Sequence, residues 1–286
     1  MKQLLILSGK GGTGKTTIAS AFIKLTEAKA FADCDVDAPN LHLLMPQDYQ
    51  AVKSDFYGLD KANIDQDKCS ACNLCYEHCR FDAIIKSDNS YSVDYFACEG
   101  CALCYEICPA NAISMQKCVI GDLELFKSDI VFSTAKLRMG NGNSGLLVTE
   151  VKKQMKDNKL ESTDLAIIDG SPGIGCPVIA SLSGVDLVLI VTEPSISGMS
   201  DLKRIVQTSQ KLQAKPAVCI NKFDTNLEVS VKIESYCQKE NLTFVGIIPY
   251  DEQVIKAVNM GKNIIDYDCK ASHAIKDVFK NTIKHL

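Results

Sequence analysis

An apolar run, Leu4-Leu5-Ile6-Leu7, leads directly into Gly9-Lys10-Gly11-Gly12-Thr13-Gly14-Lys15-Thr16-Thr17. The run reads as a strand, the spacing fits G-x-x-x-x-G-K-[ST], and a helical pattern follows, which is the context that gives this motif its meaning. Glycines permit a tight turn whose successive N–H groups point inward, forming an anion nest at a helix N-terminus where the dipole also favours phosphate. The loop therefore commits the chain to a strand–loop–helix unit and to a phosphate-bearing ligand. Gly11, Gly12, Thr13, Gly14, Lys15, Thr16 and Thr17 are the candidate contacts, with Lys15 reaching the β/γ-phosphates and the Thr16 hydroxyl holding Mg²⁺. Lys10 is an extra lysine that an ordinary loop of this kind does not need.

Residues 1–45 read as β-loop-α-β: a strand over 3–8, a helix from about 16 to 28, and a short strand over 30–32 ending at Asp33. That order implies a parallel sheet with its ligand at the carboxyl ends of the strands. Short aliphatic or β-branched runs recur near 129–133, 165–169, 187–192, 217–221 and 244–249, with helical stretches between most of them. The expected fold is α/β, a doubly wound and mostly parallel sheet. Strand–helix alternation stops near residue 63 and restarts near 117, so the reading places an inserted unit over 63–116, with 1–62 and 117–286 forming one domain around it.

The insertion contains an internal repeat. Lys68–Ile84 aligned with Ala97–Ile113, at an offset of 29, repeats the pattern C-x₂-C-x₂-C-x₃-C. Of fourteen cysteines in the chain, Cys69, Cys72, Cys75, Cys79, Cys98, Cys101, Cys104 and Cys108 fall here. Such density beside a nucleotide loop points to metal rather than disulfides. The spacing is that of bacterial ferredoxins carrying two 4Fe–4S clusters, in which the fourth cysteine of each run serves the other cluster. By that rule Cys69, Cys72, Cys75 and Cys108 hold one cluster, and Cys98, Cys101, Cys104 and Cys79 the other. Structural zinc and free thiols are the alternatives, although zinc pairs usually lie farther apart along the chain. Arg80 stands where proline is expected after Cys79. The segment resembles a small α+β ferredoxin-like domain, which implies low-potential one-electron transfer.

The chain has 286 residues, 46% hydrophobic and 23% charged, with a net charge of −4. Nucleic acid is a poor partner for such a balance, since phosphate contact needs clustered Lys and Arg. The negative charge is concentrated in residues 64–116. No apolar run approaches the ~18 to 20 residues that span a bilayer, and a strand at the very start leaves no room for a signal peptide, so a cytoplasmic location is expected. In the last segment, Ile275, Val278, Phe279 and Ile283 share one face, fitting a helix packed on the sheet better than a membrane-targeting one.

The loop Gly9–Thr17 resembles the K-G-G-x-G-K-T signature of the MinD/Mrp/nitrogenase-iron-protein superfamily. Resemblance covers essentially all residues outside the insertion and implies an ATPase that works as a homodimer, Lys10 reaching across to the phosphates bound by the partner. Asp33-Cys34-Asp35-Val36-Asp37-Ala38-Pro39-Asn40 resembles the family's first switch, which gives Asp35 the role of orienting the attacking water and places Asp33 nearer the metal and lysine. Leu165–Gly173 resembles the second, with Asp169 holding Mg²⁺ through water. Asn221-Lys222-Phe223-Asp224 and the segment containing Pro249 and Asp251 resemble adenosine-recognition segments. Cys176 stands where the nitrogenase iron protein has one of two cysteines bridging its dimer, but the other position, Asn143 by alignment, is not a cysteine. Cys34, Cys118, Cys219, Cys237 and Cys269 show no spacing that suggests a site.

Together these readings give an ATP-, Mg²⁺- and iron–sulfur-dependent protein that passes electrons to an unidentified redox partner under nucleotide control. An Mrp-like cluster carrier with an acceptor protein, and a MinD/ParA-like positioning ATPase with structural clusters, are the competing readings.

Overall fold

A computed structural model describes residues 1–286. In chain order its strands are β1 (Lys2–Leu7), β2 (Ala30–Asp33), β3 (Val52–Tyr57), β4 (Lys61–Ile64), β5 (Ile84–Ser87), β6 (Ser90–Val93), β7 (Ile113–Gln116), β8 (Val119–Lys127), β9 (Val131–Leu137), β10 (Leu165–Asp169), β11 (Leu187–Thr192), β12 (Lys215–Asn221) and β13 (Thr243–Ile248). Nine of them form one sheet in the order β13-β12-β11-β1-β10-β2-β9-β8-β3. Neighbours from β13 to β9 run parallel, and β8 and β3 close one edge antiparallel. Parallel strands covered on both faces read as unbroken apolar runs, as in Leu4–Leu7 of β1 and all of β11. Side chains nonetheless alternate between two cores: Leu5 and Leu7 pack with Leu147, Val151 and Ile168, whereas Leu4 and Ile6 pack with Phe22, Phe31 and Ile275. The last helix, Lys270–Ile283, lies in this second layer, and no helix is long and apolar enough to cross a membrane.

β1 has β10 on one side and β11 on the other, so the strand order reverses at β1. In open α/β sheets the ligand crevice lies outside the carboxyl ends of the strands at this point. Leu7 leads there into the glycine loop, and the helix Lys15–Thr26 carries the chain away, burying Ile18 and Phe22 against β1.

The antiparallel edge was not expected. β3 is almost wholly exposed, with Val52 at 68%, so no apolar pattern announces it. β8 begins at Val119, and the strand expected near 129–133 is β9, running from Val131 to Leu137. Residues 61–116 stand outside the large sheet. β4 pairs with β7 and β5 with β6, and short helices span Leu74–His78 and Leu103–Glu106. Lys61 and Ala62, expected on the other side of the boundary, pair with Gln116 and Met115. The sequence repeat is also a conformational one: left-handed residues occur at Ala71, Asn73 and Asp82 and again 29 positions on at Gly100, Ala102 and Asn111.

This unit grows from the tip of the β3–β8 pair, where the Gly58 N–H donates to the Cys118 carbonyl at 3.0 Å. Gly121 of β8 pairs with Leu137 at the carboxyl end of β9. The unit therefore leaves the sheet at the same edge as the glycine loop.

Candidate functional site

Two positions in the glycine loop need left-handed backbone, Gly12 at φ 79° and Gly14 at φ 85°. Gly14 is also constrained by space, since a Cβ there would lie 2.5 Å from Asn221 Nδ2. That amide donates to the Thr13 carbonyl at 2.7 Å, and Lys222 Nζ donates to the Gly12 carbonyl at 3.0 Å. Carbonyls drawn outward by β12 leave the loop's N–H groups free to face the crevice. Lys222 is held in turn by an ion pair with Glu193, which follows β11.

Lys15 is buried, and its Nζ donates to Asp169 Oδ1 at 2.7 Å with Asp35 Oδ2 at 4.0 Å. Burial works against the ammonium, but the charge and hydrogen bond of Asp169 outweigh it, and the Lys15 pKa lies above the ordinary lysine value. β10 and β2 are parallel neighbours with Asp169 opposite Asp33, so two buried carboxyls lie side by side near Lys15. Burial first, then the Asp169 charge, pushes the Asp33 carboxyl up to about 7. Asp33 makes no ion pair with Lys15; its Oδ2 accepts from the Asn40 and Leu41 N–H groups, both at 2.9 Å, and its Oδ1 from the Asp35 N–H at 3.0 Å. The expectation that Asp33 lies nearer the lysine is corrected: Asp33 folds the 33–41 loop, and Asp35 is the acid this loop presents to Lys15. Burial also raises the Asp35 pKa, partly countered by Lys15.

Asp169 Oδ2 is buried without a hydrogen-bond partner, and Thr16 Oγ1 lies 3.5 Å from Lys15 Nζ. A free carboxylate oxygen and a hydroxyl converging beside the phosphate nest suit Mg²⁺, a hard cation that takes one or two protein oxygens and keeps its waters. Lys10 Nζ reaches Ser195 Oγ at 3.4 Å, and Ser195 caps the helix Ile196–Lys211.

The segments expected to meet adenosine also hold the backbone in place. Asn221 braces the loop backbone, as above. Asp251 accepts from Gln253 N–H at 2.9 Å and Ala271 N–H at 3.2 Å, capping one helix and anchoring another, while Asp224 accepts from the Tyr250 N–H beside Pro249 at 2.7 Å. Glu193 was missed, and Lys222, named within the 221–224 segment, was given no role of its own. Asp201, whose Cβ would sit 2.2 Å from a Cβ on Gly9, gives no signal at all.

The eight repeated cysteines line two cavities. Cys69, Cys72, Cys75 and Cys108 surround one of ≈ 20 Å³, and Cys79, Cys98, Cys101 and Cys104 surround another of ≈ 20 Å³. Ala83 N–H donates to Cys79 Sγ and Ala112 N–H to Cys108 Sγ, both at 3.3 Å. Burial, then the neighbouring Cys98, raises the Cys104 thiol to about 11; burial likewise raises Cys75, with Cys69, Cys72 and Cys108 adding to it. Nowhere do three or more His, Cys, Asp or Glu side chains converge tightly enough to hold a single metal ion. Among the other cysteines, Cys34, Cys118, Cys219 and Cys237 are buried and Cys176 is exposed.

The sequence model of the CobQ/CobB/MinD/ParA nucleotide binding domain matches residues 4–264. The chain belongs to this family. An uncharacterized protein of Methanocaldococcus jannaschii is 31% identical over 97% of this chain and 95% of its own length. An iron–sulfur cluster carrier protein of Pyrococcus horikoshii is 24% identical over 99% of this chain and 86% of its own. Among solved structures, the septum site-determining protein MinD of Pyrococcus horikoshii complexed with Mg-ADP has a TM-score of 0.58 at 18% identity, covering 98% of this chain and 94% of that one. Membership bears out the nucleotide-binding, MinD-like P-loop reading of the glycine loop and the mostly parallel sheet.

Proposed function

We propose that this chain is an ATP-hydrolysing iron–sulfur protein, in which nucleotide-dependent pairing of two copies governs electron transfer through two 4Fe–4S clusters to a redox partner. The observation that carries this reading is the division of the thiols between the cavities. Cysteines far apart in sequence, Cys108 with Cys69–Cys75 and Cys79 with Cys98–Cys104, line common spaces, which is the crossed assignment expected of two-cluster ferredoxin spacing. The largest apolar cluster of the same unit is only five buried residues, Ala62, Ile64, Ile84, Tyr91 and Ile113, with cysteines packed around them. So small a core needs a staple, and bound metal is one of the few available. Two N–H groups donating to cysteine sulfurs would support thiolates. Bound clusters supply one-electron redox chemistry at potentials set by charge, hydrogen bonding and exposure.

The remaining roles belong to the chain. Lys15 exchanges Asp169 for the β/γ-phosphates, Thr16 and Asp169 hold Mg²⁺, and Asp35 orients the attacking water. Lys10 supplies charge to the nucleotide of a second copy. Support for pairing comes from apolar side chains exposed beyond the carboxyl ends of the parallel strands: Met139 is 96% exposed and Ile196 87%, with Ile174 and Ile179 about half exposed.

The decisive test is anaerobic: cluster potential and electron transfer to a viologen-type acceptor, measured with Mg-ATP, with Mg-ADP and without nucleotide. A nucleotide-dependent potential or rate is expected, and identical behaviour in all three states would overturn the reading. The carrier relative supports a second reading, delivery of clusters to apo-proteins. Rapid cluster loss to an apo-acceptor would favour it, and retention would favour electron transfer.

A further inference from the structure

Lys152 lies on the helix Ser144–Asn158, with the Cys34 thiol within reach of its charge, and is mostly buried without a carboxylate partner. Its ammonium donates to the carbonyls of Ser181 and Ser183, both at 2.6 Å, and of Ala180 at 3.3 Å. Three donors meeting three carbonyls exhaust a lysine's capacity. The carbonyls are those at the end of the helix Cys176–Leu182, where unsatisfied C=O groups and the dipole both favour a cation. Burial lowers the Lys152 pKa to about 8, so the position carries a penalty that a solvent-facing lysine would avoid.

The capped helix is the continuation of the loop that leaves Asp169. That loop is hydrogen-bonded to the base of the nucleotide site, Gly170 N–H to the Ile6 carbonyl at 2.9 Å and Gly173 N–H to the Ser8 carbonyl at 3.0 Å. The two helices also touch at their starts, where a Cβ on Gly145 would lie 3.3 Å from Cys176 Cβ. Any displacement of the 170–175 loop is therefore passed to the helix Ser144–Asn158 at both ends of the short helix.

At its own N-terminus this second helix is joined to the cysteine unit by residues 138–143. Asn141 Oδ1 accepts from Lys61 Nζ at 3.3 Å, and the same ammonium donates to the Tyr95 carbonyl at 2.6 Å. A Cβ on Gly140 would lie 2.8 Å from the Phe96 ring, and one on Gly142 would lie 2.9 Å from Glu99 Oε2. Glu99 is the neighbour of Cys98 and lines the second cavity.

We propose that Lys152 is a positioning residue that ties the loop after Asp169 to the Cys79/Cys98/Cys101/Cys104 cavity, through the helix Ser144–Asn158 and the 138–143 loop. This rests on the proposed function, because it names the path by which nucleotide would reach the thiols. Packed elements carry displacement as units. The chain of contacts runs without a break from Asp169 to Glu99.

The experiment is hydrogen–deuterium exchange on the anaerobically purified full-length chain, with Mg-ATP, with Mg-ADP and without nucleotide. Mg-ATP is expected to change exchange at 8–17 and 170–182, and also at 138–143 and 94–104. In Lys152→Met the change at 8–17 persists and that at 138–143 and 94–104 is lost. Phe96→Ala, at an exposed position at the far end of the path, keeps the change through 170–182 and loses it at 94–104, which decides the matter even where Lys152→Met does not fold. A wild-type response confined to 8–17 and 170–182, or variants that retain the distal response, would overturn the path alone. No response at 8–17 in the wild type would overturn the proposed function along with it.

Discussion

Replacing Asp169 with Asn removes one charge from the most buried ion pair in the chain, whose two side chains are 6% and 0% exposed. Breaking a buried pair by neutralising one member costs about 3–5 kcal/mol. The lower end applies, because the Asp33 carboxyl, held up by the Asp169 charge, ionises more readily once that charge is gone, and Asp35 still stands 4.0 Å from the ammonium. At roughly 2–4 °C per kcal/mol for chains of this size class, a loss of about 3 kcal/mol lowers Tm by roughly 6–12 °C. The assay is thermal unfolding near neutral pH without divalent metal, with and without ATP. ATP phosphates supply the charge that Lys15 lacks in the variant, whereas in the wild type they must first draw Lys15 from Asp169. ATP alone should therefore raise Tm more in Asp169→Asn than in the wild type, through the ordinary linkage of ligand binding to stability. A Tm within a degree or two of wild type, or equal ATP shifts, would refute the reasoning.

Lys10→Met should leave ATP binding intact and abolish ATP-dependent dimerisation in light scattering, with hydrolysis falling by about 10³-fold or more if the lysine acts as an arginine finger does. Cys108→Ser and Cys79→Ser should each halve the iron and acid-labile sulfide bound per chain, and EPR of the reduced proteins should retain a different cluster in each. Because the Lys152 pKa is lowered from 10.5 to about 8, the unfolded chain holds the extra proton between these values. The contribution of Lys152 to stability should be fullest above pH 10.5 and decline as pH falls to about 8, while the Cys34 thiol, pushed up to about 12 by burial, opposes it by losing stability as pH rises. Lys152→Met should flatten that slope in denaturant titrations across pH.

The parallel half of the sheet was legible because its central strands are buried on both faces and bounded by residues that turn the chain. Leu187–Thr192 could hardly be read otherwise. β3 was not legible for the opposite reason: Val52-Lys53-Ser54-Asp55 is exposed, and its place comes from pairing with β8, a partner about 70 residues away. At the nucleotide site the motif residues were readable because phosphate chemistry fixes their types and spacing. Asp33 was misplaced because sequence cannot tell which of two neighbouring acids turns back to cap its own loop. Glu193, just after β11, and Asp201, on the helix Ile196–Lys211, meet the site through long-range contacts that no local pattern encodes. The division of the cysteines between two cavities follows their spacing, whereas the joint between that unit and the 138–143 loop depends on glycines whose importance is seen only when their neighbours are.

The hydrogen bond between Gly58 and Cys118 closes the base of the inserted unit within a single rung of an antiparallel ladder. Both ends of the cysteine segment therefore meet at one point, and the surrounding sheet needs only a hairpin turn there to be whole. The segment is in effect a cassette: it could be gained, lost or exchanged at that rung without re-threading any of the parallel strands. A nucleotide-binding sheet of this kind could acquire the cysteine unit in one step. The unit would arrive at the carboxyl ends of the parallel strands, where the glycine loop also lies.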